Sequence, residues 1–113
     1  MSTYGYAVEQ ATGAVHVLAT TDGPLRQRFL DASVHILAIP THDLPEHLKE
    51  QAEQLKADLT NAEPTSGDDR VTPTIQRLSV TELSRLADRL VALSESLLRE
   101  RPELWRVGLL TSA

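Results

Sequence analysis

The fold is decided by residues 79–100, which read SVTELSRLADRLVALSESLLRE. Leucines recur there at alternating steps of three and four, the spacing that places side chains on one face of an α-helix. Other apolar side chains lie beside them on the helical wheel and are expected to widen this face toward a core. The leucines are Leu83, Leu86, Leu90, Leu93 and Leu97, and the flanking residues are Val80, Ala87, Val91 and Leu98. A stripe of this length predicts a core helix that the other segments must cover.

The same stretch carries its own start and stop signals. Ser79 and Glu82 match an S-x-x-E capping box, in which two side chains accept hydrogen bonds from backbone N–H groups of the first turn. Arg99 lies where the negative end of a helix favours a cation, and Pro102 cannot continue the helix. The sequence therefore predicts one continuous helix over residues 79–100.

Length and composition limit the class of protein. A chain of 113 residues is long enough for one domain with a single modest core. It contains no cysteine, which excludes disulfides, thiolate metal sites and a cysteine nucleophile. No apolar run is long enough to span a bilayer, and the N-terminus lacks the pattern of a signal peptide. We therefore expect a cytoplasmic protein without membrane contact.

The net charge of −5 is concentrated in one third of the chain. Residues 43–70 carry eight acidic residues against three basic ones, while the flanking regions are nearly neutral. Nucleic-acid binding domains usually present a clustered basic surface. This acidic balance makes nucleic acid an unexpected partner.

Residues 3–20, TYGYAVEQATGAVHVLAT, fit two structures. Alternating apolar residues around a Thr12-Gly13 turn fit a β-hairpin. Steps of four and three also place five side chains on one helical face. Those five are Tyr4, Val8, Ala11, Val15 and Leu18. We take the helix and keep the hairpin followed by three helices as the alternative.

This first helix has little polar surface, since Glu9 is its only formal charge. A helix of this kind is usually buried on more than one side, either as the central helix of a bundle or at a subunit interface. Small residues permit close crossing of a second helix, and twofold dimers are the commonest assembly. We predict a homodimer with an interface formed by Tyr6, Ala7, Ala14 and Val17.

The remaining segments complete an all-α bundle of four main helices, over residues 3–20, 24–39, 44–60 and 79–100. Asp22 or Gly23 is expected to cap the second helix, and Asp43 the third, as part of a D-x-x-E capping box. Val34 and Leu37 are expected on the buried face of the second helix. Residues 61–72 read as a loop that either crosses the bundle or is mobile. Short extra turns are predicted near residues 73–78 and 102–108, the latter with Trp105 and Leu109 on the core.

The order of these segments resembles a group of small bacterial helical proteins. The resemblance rests on GPLRQRFLDA, DLPEHLKEQAEQL, a Gly-Asp loop and SVTELSRLADRLVAL, and it covers most of the chain. The loop reads Gly67-Asp68-Asp69-Arg70, where a Gly-Asp-Glu-Gly type of turn is expected. We associate no established activity with this group, so the resemblance supports an all-helical fold and identifies no site residue or substrate.

Arg28 and His35 form the one pair with a catalytic precedent. They lie seven residues apart on the second helix and so share a face. This spacing is similar to the Arg-x4–6-His pair of HEPN-type ribonucleases, where the two side chains attack RNA at a dimer cleft. Phe29 follows the arginine where that family prefers a polar residue. The simpler interpretation is an ordinary surface arginine and a histidine on the helix flank.

Two other classes of site are weaker. The E-L-x-x-x-A opening of residues 82–87 is typical of helix-turn-helix motifs, but no Gly, Asn or Pro interrupts the leucine period near Val91. Such a DNA-binding regulator would use a basic face of Arg77, Arg85 and Arg89.

The four histidines do not have the spacing of metal ligands. These histidines are His16, His35, His42 and His47. The pair Asp68-Asp69 is expected to be solvated rather than a calcium site.

No nucleophile has a base at a recognisable spacing, and no cofactor motif or metal site is present in the sequence. We therefore expect a non-enzymatic helical interaction or accessory protein without cofactor that self-associates, with another protein subunit as a further potential partner. The alternatives are a HEPN-like ribonuclease using Arg28 and His35, and a DNA-binding regulator.

Overall fold

A computed structural model describes residues 3–100, which contain five α-helices. The helices are α1 (Thr3–Thr20), α2 (Leu25–Leu37), α3 (Glu46–Asp58), α4 (Val71–Arg77) and α5 (Val80–Arg99). No strand occurs between residues 3 and 100. The all-α prediction is therefore confirmed and the alternative hairpin at the N-terminus is wrong. The turn predicted near residues 102–108 lies outside the described residues.

Helix α1 lies between α2 and α5 and runs antiparallel to both. At the end of α1, the carbonyl of Leu18 accepts a hydrogen bond of 2.7 Å from the Arg28 guanidinium near the start of α2. At its beginning, the Tyr4 hydroxyl donates a hydrogen bond of 2.8 Å to the carbonyl of Leu97 in the last turn of α5. Helix α1 is thus covered on two sides by helices of the same chain, while Tyr6, Glu9 and His16 remain exposed.

Helix α3 packs against the other flank of α5, also antiparallel. Arg89 of α5 forms an ion pair of 2.7 Å with Asp58 at the end of α3. His47 at the start of α3 lies 2.9 Å from a carboxylate oxygen of Glu100, which follows α5. Helix α5 is therefore the element that α1 and α3 share.

The core is built almost entirely from the stripes that the sequence predicts. Leu83, Leu90 and Leu97 are fully buried, as is Phe29 of α2. Alanines of α1 and α3 permit close helix packing in a chain with few aromatic side chains. None of the helices within residues 3–100 has the length and hydropathy needed to cross a bilayer.

The capping box at the start of α5 is confirmed. The Ser79 hydroxyl accepts a 3.1 Å hydrogen bond from the Glu82 backbone N–H, and the Glu82 carboxylate accepts one of 3.0 Å from the Ser79 N–H. The hydrogen bond from the Ser79 N–H, followed by the interaction with the Ser79 hydroxyl, lowers the pKa of the Glu82 carboxyl below its ordinary value of 4.5. The continuous helix from Val80 to Arg99 also matches the prediction.

The other two predicted caps are wrong. Helix α2 begins after Pro24 and α3 after Pro45, and neither start has a side-chain cap. In each case a proline with extended backbone dihedrals occupies the position before the first helical residue. The fixed φ of proline directs the chain into the helix, so Asp22 and Asp43 lie too early in the sequence to cap it. Gly23 contributes a positive φ of 106° to the turn between α1 and α2.

Helix α4 begins two residues earlier than the predicted turn, and an aspartate defines its start. The Asp69 carboxylate accepts hydrogen bonds from the backbone N–H groups of Val71 and Thr72, at 3.0 and 3.1 Å. Hydrogen bonding to Thr72 lowers the pKa of Asp69 from its ordinary value of 3.8. Asp69 is exposed to solvent, as the sequence suggested, and it also caps the start of α4.

The long connection before α4 is tied to the bundle. Ala62 is buried, and its backbone N–H donates a 3.0 Å hydrogen bond to the hydroxyl of Thr74.

A lysine of α3 holds the connection between α2 and α3. The Lys56 ammonium donates a hydrogen bond to the carbonyl of Ile39, which follows α2. Burial lowers the pKa of Lys56 from its ordinary value of 10.5, an effect that the charge of Glu53 opposes.

Candidate interaction surface

The predicted interface on α1 is largely inside the chain. Ala7 and Ala14 have no exposed surface, and Val17 is half-buried and packs against the core. Of the four residues, Tyr6 alone is well exposed, at 42%. The inference that Ala7 and Ala14 need cover from a second copy is therefore wrong.

The correction has a physical reason. Ala7 and Ala14 lie on the face of α1 where small side chains allow close helix approach, and this face is covered within the chain. The sequence shows that α1 must be covered on several sides. It does not show whether the covering helices belong to the same chain. An Ala14→Glu substitution would bury a charge in the core, and it does not probe an interface.

Arg28 and His35 contact α1 at different levels and are not brought together. The Arg28 guanidinium donates to the carbonyl oxygens of Leu18 at 2.7 Å and Gly23 at 3.0 Å. Nδ1 of His35 lies 2.9 Å from the side-chain oxygen of Gln10. Leu18 and Gln10 are about 12 Å apart along the helix. Both side chains therefore connect α1 to α2, and nothing in this geometry favours the ribonuclease interpretation.

The other histidines are dispersed over the surface. His16 is exposed, His42 lies 3.4 Å from a carboxylate oxygen of its neighbour Asp43, and His47 pairs with Glu100. Among residues 3–100, no group of three or more His, Asp or Glu side chains is placed to hold a metal ion.

A helix-turn-helix would need a break near Val91, and α5 is continuous there. Of the three arginines proposed for its basic face, Arg89 is paired with Asp58. A groove of about 590 Å³ lies beside this ion pair, between α3 and α5. Its lining is mainly polar and includes both acidic and basic side chains. This surface does not have the basic character that DNA binding requires.

An apolar surface that the sequence analysis assigned to the core lies along one edge of α5. Val80 is 65% exposed, and Val91 and Leu98 are each 39% exposed. Ala87 is half-buried against the core. We name this surface the α5 edge stripe. Its exposed members are Val80, Ser84, Val91 and Leu98, and half-buried Ala87 lies beside them, whereas Ser94 on the same side of the helix is buried.

The position of α5 in the bundle explains why this edge is open. Arg89 and Glu100 mark the flank that meets α3, and the leucine stripe faces the core. Val80, Val91 and Leu98 lie on the opposite flank, where their side chains stay at least 39% exposed. Its signal in the sequence is the width of the apolar face of α5, which exceeds what one row of leucines needs.

A smaller exposed patch lies on α2. Val34 is 71% exposed and Leu37 is 38% exposed, although both were expected on the buried face. They lie past the edge of the face that carries Phe29 and Ile36, which are fully buried. This patch extends over one helical turn, whereas the α5 edge stripe runs the length of its helix.

Comparison with protein-family models, curated proteins and solved structures finds no match to this chain. The resemblance to small bacterial helical proteins stays a prediction.

Proposed function

We propose that this chain is a non-enzymatic helical interaction protein that self-associates through the α5 edge stripe. The observation that supports the proposal is the exposure of Val80, Val91 and Leu98 along one edge of a single rigid helix. Three exposed apolar side chains aligned on one edge of a helix offer a partner helix a row of contacts to bury. Burial of such surface by a partner is favourable by roughly 25 cal/mol per Å².

The arrangement of the stripe favours a helical partner. Its members recur at steps of three and four over residues 80–98, as in the seam of paired helices. Ser84 and Ala87 are small, so a second helix can approach closely at that level. Another protein subunit could occupy the same surface, and the mass measured for the purified chain distinguishes this alternative from self-association.

The bonding of the proposed catalytic pair supports the non-enzymatic interpretation. Arg28 donates to two backbone carbonyls, and His35 is engaged by Gln10. These contacts explain both side chains as links between α1 and α2. The lack of cysteine fits a reducing compartment, and we propose a cytoplasmic location.

Light scattering coupled to size exclusion tests the proposal. We expect wild-type protein at micromolar concentration to show twice the chain mass of 12.4 kDa. Val91→Glu should shift the mass toward the monomer, because it places a charge in the middle of the stripe. Leu37→Glu is a matched control, since Leu37 has nearly the same exposure but lies on α2.

Circular dichroism should show that both variants keep the wild-type helix content. A monomeric mass for wild-type protein throughout the concentration range would overturn self-association. If Val91→Glu and Leu37→Glu changed the measured mass equally, the interface would not lie on the α5 edge stripe.

A further inference from the structure

A second cleft lies where the end of α3 meets the first half of α5. Its volume is about 290 Å³, close to the lower limit of about 300 Å³ for small-molecule sites. Two leucines contribute to its lining, of which Leu86 is buried and Leu78 is half-buried. We name it the Arg85 cleft. Its polar lining consists of Asp58, Asn61, Glu82, Arg85 and Arg89.

The two carboxylates of the Arg85 cleft already accept hydrogen bonds from within the chain. One oxygen of Asp58 accepts a 3.0 Å hydrogen bond from the side-chain amide of Gln54, and the other accepts one of 2.7 Å from Arg89. The Glu82 carboxylate accepts a 3.0 Å hydrogen bond from the backbone N–H of Ser79. The acceptors of this cleft are therefore largely engaged.

Two donors of the same cleft are not engaged. Arg85 and Asn61 are both exposed, and neither side chain forms a hydrogen bond or ion pair with any residue between 3 and 100. Glu82 lies one turn before Arg85 on α5, yet no ion pair joins them. A guanidinium group presents a planar fork of N–H donors that fits a carboxylate with two parallel hydrogen bonds. The free hydrogen-bonding capacity of the Arg85 cleft thus suits an anion.

Charge limits what kind of anion fits. The positive charges of Arg85 and Arg89 are balanced by the negative charges of Asp58 and Glu82. A singly charged carboxylate adds one negative charge to this balanced set. A phosphate group carries close to two at neutral pH, and the nearby carboxylates repel it more strongly. The leucines beside these polar groups offer contact to a short apolar chain.

We propose that the Arg85 cleft binds a small carboxylate with a short apolar chain. The carboxylate accepts hydrogen bonds from Arg85 and Asn61, and the apolar chain packs against Leu78 and Leu86. A free organic acid and the carboxyl end of a peptide with an apolar last residue both supply this chemistry. The site lies on the flank of α5 that meets α3, so it does not depend on self-association through the α5 edge stripe.

Heteronuclear NMR of the labelled full chain tests the proposal. Sodium hexanoate is the probe for a free acid, and N-acetylleucine is the probe for the carboxyl end of a peptide. We expect at least one of them to cause saturable shifts of the Arg85 side-chain N–H and Asn61 amide signals, with a dissociation constant in the millimolar range. The carboxylate that binds more tightly identifies the source. Hexanamide has the same chain length without charge, and neither it nor inorganic phosphate should cause saturable shifts.

Arg85→Gln should weaken binding of the carboxylate by about tenfold or more, because a charged donor is lost. Asn61→Ala should weaken it several-fold. Both positions are exposed, so the fold tolerates these changes. Arg77→Gln is the matched control, since Arg77 is an exposed arginine of α4 that does not line the cleft.

Three results would overturn the proposal. The first is the absence of saturable shifts with both carboxylates. The second is equal binding of hexanamide, which would mean that charge is not recognised. The third is equal weakening by Arg77→Gln and Arg85→Gln, which would assign the effect to the general charge of the surface. A monomeric mass for the wild-type protein would overturn self-association and leave this site untouched.

Discussion

The hydroxyl group of Tyr4 donates a 2.8 Å hydrogen bond to the carbonyl oxygen of Leu97, which is 93 positions later in the chain. Leu97 lies in the last turn of α5, where backbone carbonyls have no partner within the helix. Two arginines of α2 also donate hydrogen bonds to backbone carbonyls at helix ends. Arg28 donates to Leu18 at the end of α1, and Arg26 donates to Leu78, which follows α4. Backbone carbonyls at the ends of α1, α4 and α5 thus accept hydrogen bonds from side chains of neighbouring helices.

Removal of the Tyr4 hydroxyl should destabilise the protein without creating a cavity. Tyr4→Phe is expected to lower the free energy of unfolding by about 1 kcal/mol, because a buried carbonyl loses its partner. Urea denaturation measures the change. Tyr6→Phe is the matched control, since Tyr6 lies on the exposed side of the same helix turn. Equal loss in the two variants would contradict a specific role for the bond to Leu97.

The caps predicted from sequence at Ser79 and Asp43 should differ in how much they contribute to stability. Ser79→Ala is expected to cost about 1 kcal/mol, because the Glu82 N–H loses its acceptor at the start of α5. Asp43→Ala should change stability by less than about 0.5 kcal/mol, since α3 begins without a side-chain cap. Thermal melting of both variants checks this. A large loss in Asp43→Ala would mean that α3 begins earlier than Glu46.

The capping box should also make stability depend on pH. Hydrogen bonds to the Ser79 N–H and hydroxyl lower the pKa of Glu82 in the folded state below its ordinary value of 4.5. The stabilisation is therefore fully present above that value and is lost as the pH falls through the folded-state pKa. Glu82→Gln should melt below wild type at pH 6, and this difference should narrow as the pH falls below 4.5. A difference that stays constant from pH 6 to about pH 3 would exclude this linkage.

The contact between Gly13 and His35 can be measured with a double-mutant cycle. A Cβ atom on Gly13 would lie 3.3 Å from Nδ1 of His35, which is a tight contact. In a His35→Ala background, Gly13→Ala should stabilise α1 by about 1 kcal/mol through helix propensity. In the presence of His35 the gain should be smaller, because the imidazole must move away from Gln10. Identical effects in the two backgrounds would show that the ring moves freely.

Local patterns predicted the helices, whereas packing decided which faces they bury. Ser79 and Glu82 are three residues apart, so their capping box could be read directly from the sequence. Leu90 and Val91 are neighbours of similar hydrophobicity, yet one has no exposed surface and the other is 39% exposed. The difference depends on which flank of α5 meets α1 and α3. No local pattern contains that information.

The same limit applies to the candidate site. The low charge of α1 predicts cover on more than one side. On one side the cover is α2, the next helix in the chain, and on the other it is α5, whose Leu97 lies 93 positions from Tyr4. The exposed apolar side chains lie instead on α5, at Val80, Val91 and Leu98. We therefore propose the interface on α5, whereas the sequence predicted it on α1.

The order of synthesis gives the packing of α1 between α2 and α5 a further consequence. Of the five described helices α1 is made before the others, and its cover on the α5 side is complete only after about 80 more residues have been made. At roughly 5–20 residues per second, the nascent chain carries an incompletely covered apolar helix for several seconds. The hairpin of α1 and α2 can form early, because its contacts are local. The other face of α1 then stays exposed until α5 is made and packs on it.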